Sequence, residues 1–212
     1  MDRYDSIVIG AGHNGLVCAA YLARAGKRVL ILEAGETPGG LAATREFHPG
    51  FHAAPAHVAG HFAEAVIADL ELESHGLVRP SQPLPLTGLA ANGEHVTVSG
   101  NELSGVGESD VEAYPRYSRM MKQSADALAP FWTRKMPRIG SRQMTDLATF
   151  ARLGLNLRGL GREAMGEFLR IASLPARDLM DEFFDSELLK ATLSWDGLIG
   201  SRMAPRSPNS AV

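Results

Sequence analysis

The chain has 212 residues, 45% hydrophobic and 21% charged, a composition that suits a globular protein of one or two domains with a real core. Its 21 basic against 24 acidic residues give a net charge of −3, so no overall cationic field is present and nucleic acid is not an expected partner. A single cysteine, Cys18, excludes an intrachain disulfide framework and a multi-cysteine zinc or iron–sulfur site, and it suits a reducing, cytoplasmic compartment.

The amino terminus, MDRYDSIVIGAG, lacks the layout of a secretory signal, and no run of about 18 apolar residues suggests a spanning helix. Residues 4 to 33 then form one unit. A β-rich run, Ser6 to Ile9, leads into a glycine turn, a helix over Asn14 to Ala25, Gly26, and a second β-rich run, Arg28 to Glu33. Leu16, Ala19, Ala20 and Ala23 offer a small-residue face on which that helix can lie close to a sheet. This is a βαβ unit. Cys18, on the same helix, reads as a small buried core residue.

Thr37-Pro38-Gly39-Gly40 is a turn, and Ala42 to Phe47 with Phe51 to Ala53 predict short strands around Pro49-Gly50. His57 to Leu72 carries Val58, Phe62, Val66 and Leu70 in helical register. Leu84 to Ala90 and His95 to Ser99 predict a β-hairpin about Asn92-Gly93. From residue 109 the pattern turns helical. Ser109-Asp110-Val111-Glu112 has the form of a capping box, opening a helix to Leu128 with a kink or late start at Pro115. Further helices fit Met144 to Leu153, Arg162 to Ser173, Ala176 to Phe184 and Ser186 to Trp195, and the tail from Ala204 to Ser210 is turn-like. The expected architecture is α/β. A Rossmann-like cofactor-binding portion with the hairpin spans residues 1–100, its parallel sheet incomplete, and a mainly helical substrate or cap portion spans residues 101–212.

Gly10-Ala11-Gly12-His13-Asn14-Gly15 fits G-x-G-x-x-G, and its setting sharpens the match: it follows an apolar strand, opens a helix, and is answered by Glu33 at the end of the next strand. Gly10 allows the tight turn, Gly12 leaves room for a pyrophosphate, and Gly15 lets helix and strand pack closely. The helix start offers unpaired N–H groups to a diphosphate. Glu33 can accept bonds from ribose hydroxyls and would repel a 2′-phosphate, which disfavours an NADP-type ligand.

The stretch YDSIVIGAGHNGLVCAAYLARAGKRVLILEAGETPGGLAATREFHPGF resembles the amino terminus of the phytoene desaturase and amine oxidase superfamily of FAD-dependent oxidoreductases. GAGHNGLVCAAYLARAG and PGG-LAAT followed by PGF most resemble its phytoene dehydrogenase-like members. The resemblance implies an FAD cofactor, held by Gly10, Ala11, Gly12, His13, Asn14, Gly15, Glu33 and Ala34, and by Gly39, Gly40 and Leu41 near the pyrophosphate and flavin side. Many relatives carry an arginine where this chain has Gly35 and Leu41, so phosphate contacts here fall to the backbone. The implied activity is hydride transfer from a C–H bond of a small, apolar substrate to flavin. Relatives are longer than this chain, which implies a truncated or split enzyme, completed by a C-terminal partner chain or by self-association. A noncatalytic or degenerate dinucleotide-binding module and an NAD-linked dehydrogenase remain the alternatives.

His48, His52, His57 and His61 include two H-x-x-x-H spacings, but the first pair brackets Pro49-Gly50 and cannot be helical; no metal is expected. Residues 134 to 177 hold nine Arg or Lys and three acids, a balance of +6. Interleaved with leucines, they suggest an amphipathic face for peripheral contact with anionic lipid, or else a solvated helical face. Catalytic residues are not assignable, since in flavin chemistry the isoalloxazine supplies the reactive atom.

Overall fold

A computed structural model describes residues 3–54, 62–79, 84–131, 134–198 and 202–211. The chain divides into two compact units, Met1–Arg79 and Pro80–Val212.

In the first unit β1 (Ser6–Ile9) pairs in parallel with β2 (Val29–Leu32), in the register Ser6 to Val29 through Ile9 to Leu32. Helix α1 (His13–Arg24) connects them and packs on both. Along α1 Ala19 is buried and Gly15, Val17, Ala20 and Leu22 are half-buried, while Leu16 and Ala23 stay exposed. The contacting stripe keeps Ala19 and Ala20 of the expected small-residue face and loses its two ends. Cys18 lies off that stripe and is exposed, which corrects the expectation of a buried core thiol. The helix ends where Gly26 N–H bonds Ala23 O at 2.9 Å and Lys27 N–H reaches Leu22 O at 3.1 Å, a glycine-terminated C-cap.

Next come a single 3₁₀ turn over Gly40–Ala42 and the antiparallel pair β3 (Arg45–His48) and β4 (Phe51–Ala53), with a register shift between Glu46 and His48. Helix α2 (Glu64–Asp69) covers the middle of the helix expected over 57–72; His57 and His61 lie outside the described residues. Tyr21 on α1 donates to Asp69 at 2.7 Å, tying α1 to the end of α2.

The second unit opens on the expected hairpin, β5 (Leu86–Leu89) against β6 (His95–Ser99), and adds β7 (Glu102–Ser104) on the far side of β6. Three residues with one apolar side chain carry too little period-2 pattern to announce β7 in the sequence. The hairpin packs on α7 (Glu187–Leu198), and Gly88 lies so close to Thr192 that any side chain there would collide with its hydroxyl. For that reason the hairpin groups with the helices, and the boundary falls at Arg79/Pro80 rather than at residue 100.

Helix α3 (Glu108–Leu128) starts neither late nor at Ser109: Gly107 is its N-cap and makes no side-chain cap bond. The helix passes through Pro115, whose missing N–H leaves Val111 O, on an exposed residue, without its helical donor. The S-D-V-E segment does other work. Ser109 donates to the Asp185 carboxylate at 2.9 Å, and buried Asp110 accepts the N–H groups of Asp185 (2.7 Å) and Ser186 (3.1 Å). Ser186 in turn caps α7 by accepting Leu189 N–H at 3.2 Å. Helices α4 (Met144–Gly159), α5 (Arg162–Ile171) and α6 (Ala176–Phe183) follow, α4 running six residues beyond its expected end at Leu153.

The core of this unit gathers Val98, Tyr114, Tyr117, Ile171, Leu179, Met180, Phe184 and Leu189. Its aromatic rings meet edge to face, Tyr117 on Phe184 at 5.1 Å and on Phe183 at 5.5 Å. The turn-like tail is woven into it. Pro205 O accepts Arg177 N–H at 2.8 Å, Ser210 Oγ accepts Ala176 N–H at 2.8 Å at the start of α6, and Ala211 is buried in the cluster.

Candidate dinucleotide-binding site

Between β1 and α1 the chain turns through Gly10, whose φ of +94° is the left-handed region that a side chain rarely tolerates. Gly10 N–H extends the parallel ladder to Leu32 O at 2.7 Å, so the turn begins where the two strands are still joined. A Cβ on Gly15 would collide with the carbonyl oxygen of Gly10, which is why helix and strand can approach only through a glycine.

Gly12 is different. Its φ of −69° suits any residue, and a Cβ there would meet no protein atom within 4 Å. It is the N-cap of α1 without a capping side chain, and no acid occupies the first turn. The helix start thus presents its N–H groups and positive dipole end, with His13 and Asn14 exposed, to an open space. A Cβ on Gly12 would project into that open space rather than onto protein.

Glu33, just beyond β2, fastens the loop from the other side. One carboxylate oxygen accepts Ala11 N–H at 2.6 Å and the other accepts Gly35 N–H at 2.9 Å. The Gly35 and Ala11 amides hold its carboxyl below the usual glutamate range, so it is ionised at neutral pH. Each oxygen keeps a further lone pair for a ribose hydroxyl. Sequence reasoning singled out Glu33 for the ribose alone and missed its grip on the loop. No residue type announced that grip, since the bonds are to backbone N–H groups that any residue but proline carries, and a Cβ on Gly35 would make only ordinary contacts.

The second glycine pair closes on the first. Gly39 N–H donates to buried Ala11 O at 2.7 Å, Gly12 and Gly39 form a parallel bridge, and a Cβ on Gly40 would stand 3.0 Å from Gly12 Cα. Gly39 holds φ at +117°, so the turn itself demands the residue. Gly10, Ala11, Gly12, Gly15, Glu33, Gly39 and Gly40 therefore make one connected backbone assembly. Ala34 and Leu41 are exposed at its rim. His48 and His52 sit on β3 and β4, both exposed, with the His48 ring against the edge of Phe51.

Residues 8–67 match the NAD(P)-binding Rossmann-like domain family. Strands, helix and glycine loop together give this part of the chain a Rossmann-like fold. The chain is 33% identical, over 228 aligned positions and 98% of its length, to pyridine nucleotide-disulfide oxidoreductase domain-containing protein 2 of Rattus norvegicus. The similarity runs over nearly all of this chain, which spans 39% of that relative's length. One of the limonene dehydrogenase polypeptides of Castellaniella defragrans is 36% identical over 115 residues, covering 54% of this chain and 20% of that one. A redesigned putrescine oxidase of known structure is a distant likeness at 15% identity and a TM-score of 0.48, covering 98% of this chain and 40% of its own. Among the described residues no helix is long and apolar enough to cross a membrane.

Proposed function

We propose that the loop Gly10–Gly15 holds the diphosphate of FAD, that Glu33 accepts the adenosine ribose hydroxyls, and that the chain is the cofactor-binding part of a desaturase- or dehydrogenase-type oxidoreductase. The observation that carries this reading is Gly12. Neither backbone conformation nor neighbouring protein atoms call for a glycine there, whereas a diphosphate at the helix start does. The Gly39–Gly40 pair, bonded to Ala11 and packed on Gly12, belongs to the segment that resembles FAD-dependent oxidoreductases, and that resemblance favours FAD over NAD.

When bound, the flavin would accept the hydride from a C–H bond, so the protein's task is binding and orientation. Glu33, already ionised and anchored by two amides, can receive the ribose without first paying for its own ordering. His13, Asn14 and Gly15 contribute their first-turn N–H groups, and Ala34 and Leu41 would border the adenosine and pyrophosphate sides. The name of the limonene dehydrogenase relative supports a small, apolar substrate. Because the chain spans 39% of its rat relative, residues beyond it, or a second copy, are proposed to complete the flavin's surroundings.

Titration of the purified chain with FAD, followed by flavin absorbance and fluorescence, tests this. Saturable binding that Gly12→Val removes without loss of helical circular dichroism is the expected result. The matched family is described as NAD(P)-binding, which favours NAD as a second reading. Binding of NAD alone, with the same dependence on Gly12, would establish it; binding of neither would leave a degenerate module.

A further inference from the structure

The cations of the second unit fall into two sets. Arg170 pairs with Glu167 (2.6 Å) and Glu182 (2.8 Å), Lys190 with Asp181 and Glu187 (both 2.6 Å), and Arg177 with Glu187 (3.2 Å) and Asp181 (3.5 Å). These side chains are neutralised on the surface of the helical core. Arg134, Lys135, Arg138 and Arg142 enter no ion pair among the described residues, and no acid occurs in the sequence from residue 127 to residue 145. Asp146, the first acid beyond them, is buried.

Apolar side chains stand among these cations. Met136, Ile139 and Met144 are 83%, 96% and 78% exposed, although each would gain by leaving water. The segment is no helix. It is a loop whose tip is the turn Arg138-Ile139-Gly140-Ser141, closed by Ser141 N–H on Arg138 O at 3.1 Å, and it leads into α4 at Met144. Ile139 thus occupies the corner of a tight turn, next to Arg138 and three residues before Arg142. Behind the tip, Arg134, Lys135 and Arg152 line a cavity of about 380 Å³ with Gln143, Thr149 and Asp146.

We infer that this loop docks the protein on an anionic phospholipid surface, with Ile139, Met136 and Met144 entering the headgroup layer while Arg134, Lys135, Arg138 and Arg142 bind lipid phosphates. Charge complementarity identifies the occupant. The chain as a whole carries −3, so an anionic bilayer attracts it only through an uncompensated local cluster, and this is the cluster of four. The apolar tip favours a bilayer over other polyanions, because a headgroup layer can bury three exposed apolar side chains at once, whereas a nucleic acid takes up an apolar wedge only by unstacking its bases. Of the face suggested over residues 134–177, Arg170 and Arg177 are already paired; Arg152, Arg158 and Arg162 enter no ion pair among the described residues, but the acid-free run with the most exposed apolar side chains is 134–144, and the inference rests on it. The inference is independent of which dinucleotide the first unit holds.

Sedimentation of the full chain with vesicles of equimolar phosphatidylcholine and phosphatidylglycerol tests it. The protein should pellet with these vesicles and stay in solution with pure phosphatidylcholine. Replacing all four cations together, R134Q/K135Q/R138Q/R142Q, should lower partitioning by roughly two to three orders of magnitude. M136S/I139S should weaken it about tenfold and remove the fraction that resists high salt. None of the six positions is buried, so unchanged circular dichroism is expected. Failure of the parent to bind mixed vesicles, retention of binding by the quadruple variant, or indifference to M136S/I139S would each overturn the inference. Equal competition by duplex DNA would also overturn it, by showing a general polyanion site.

Discussion

In Pro80–Val212, Ile171, Leu179 and Leu189 are wholly removed from solvent beneath a cluster of four aromatic rings, whereas in Met1–Arg79 the buried apolar residues among those described are Ala11, Ala19 and Ile67. The first unit holds its shape at the site by backbone hydrogen bonds through Gly10, Ala11, Gly39 and the Glu33 carboxylate, and Ile7, Ile9 and Leu32 of its strands stay exposed. The second is held by side-chain packing and carries no such assembly of glycines among its described residues. A glycine loop, then, can be positioned by local geometry with little core, while a helical unit is organised by contacts between residues far apart in sequence.

The largest contrast should appear when equivalent apolar side chains are cut back. Leu179→Ala, in the centre of the helical core, should cost about 2–5 kcal/mol in urea unfolding, and Ile7→Ala, on the exposed face of β1, no more than about 0.5 kcal/mol. Similar losses at both positions would break the comparison.

Asp110→Ala removes the acceptor for two backbone N–H groups that enter α7, and should cost about 1–3 kcal/mol. Faster amide exchange at Asp185 and Ser186, with the loop of the first unit unchanged, would confirm that this carboxylate serves the fold and not a ligand.

Within the first unit, two glycines of one motif should separate. Gly15→Ala drives its Cβ into Gly10 O and should lose about 1–3 kcal/mol together with dinucleotide binding. Gly12→Ser meets no protein atom and supplies a better N-cap, so thermal stability should hold or rise slightly while FAD binding weakens at least about tenfold. Retention of FAD by Gly12→Ser would move the ligand away from the helix start.

A smaller effect follows from Glu33. Its carboxyl is held below the ordinary glutamate range by the Gly35 and Ala11 amides, so its contribution is complete above that ordinary range. It fades as pH falls through the lowered value, when the protonated form loses the charge that both amides bond. Protection of the Ala11 and Gly35 amides, measured against their intrinsic exchange rate at each pH, should therefore fall on acidification below about pH 4. Glu33→Gln should abolish this pH dependence and weaken FAD roughly tenfold at neutral pH.

The βαβ unit, the glycine loop, the acid that answers it, the hairpin and every described helix of the second unit were legible in the sequence because each depends on neighbours a few residues away: a period, a turn residue, a breaker. Even the limits of β1 and α1 fall within one residue of expectation, since Gly10 and Gly26 end what precedes them. What escaped was set at long range. The S-D-V-E segment has the local form of a cap, yet Asp110 turns to amides 75 and 76 residues away. Cys18 reads as core because small apolar helix residues usually are, but a two-strand sheet covers only one side of α1. The tail across α6 and the grouping of the hairpin with α7 likewise arise from contacts that no window of sequence contains, whereas β7, paired locally with β6, escaped because three residues carry too little pattern. Local propensity chose the elements and the ligand loop, and burial between distant segments chose their partners, because covering apolar surface and satisfying buried amides are conditions that the whole chain must meet together.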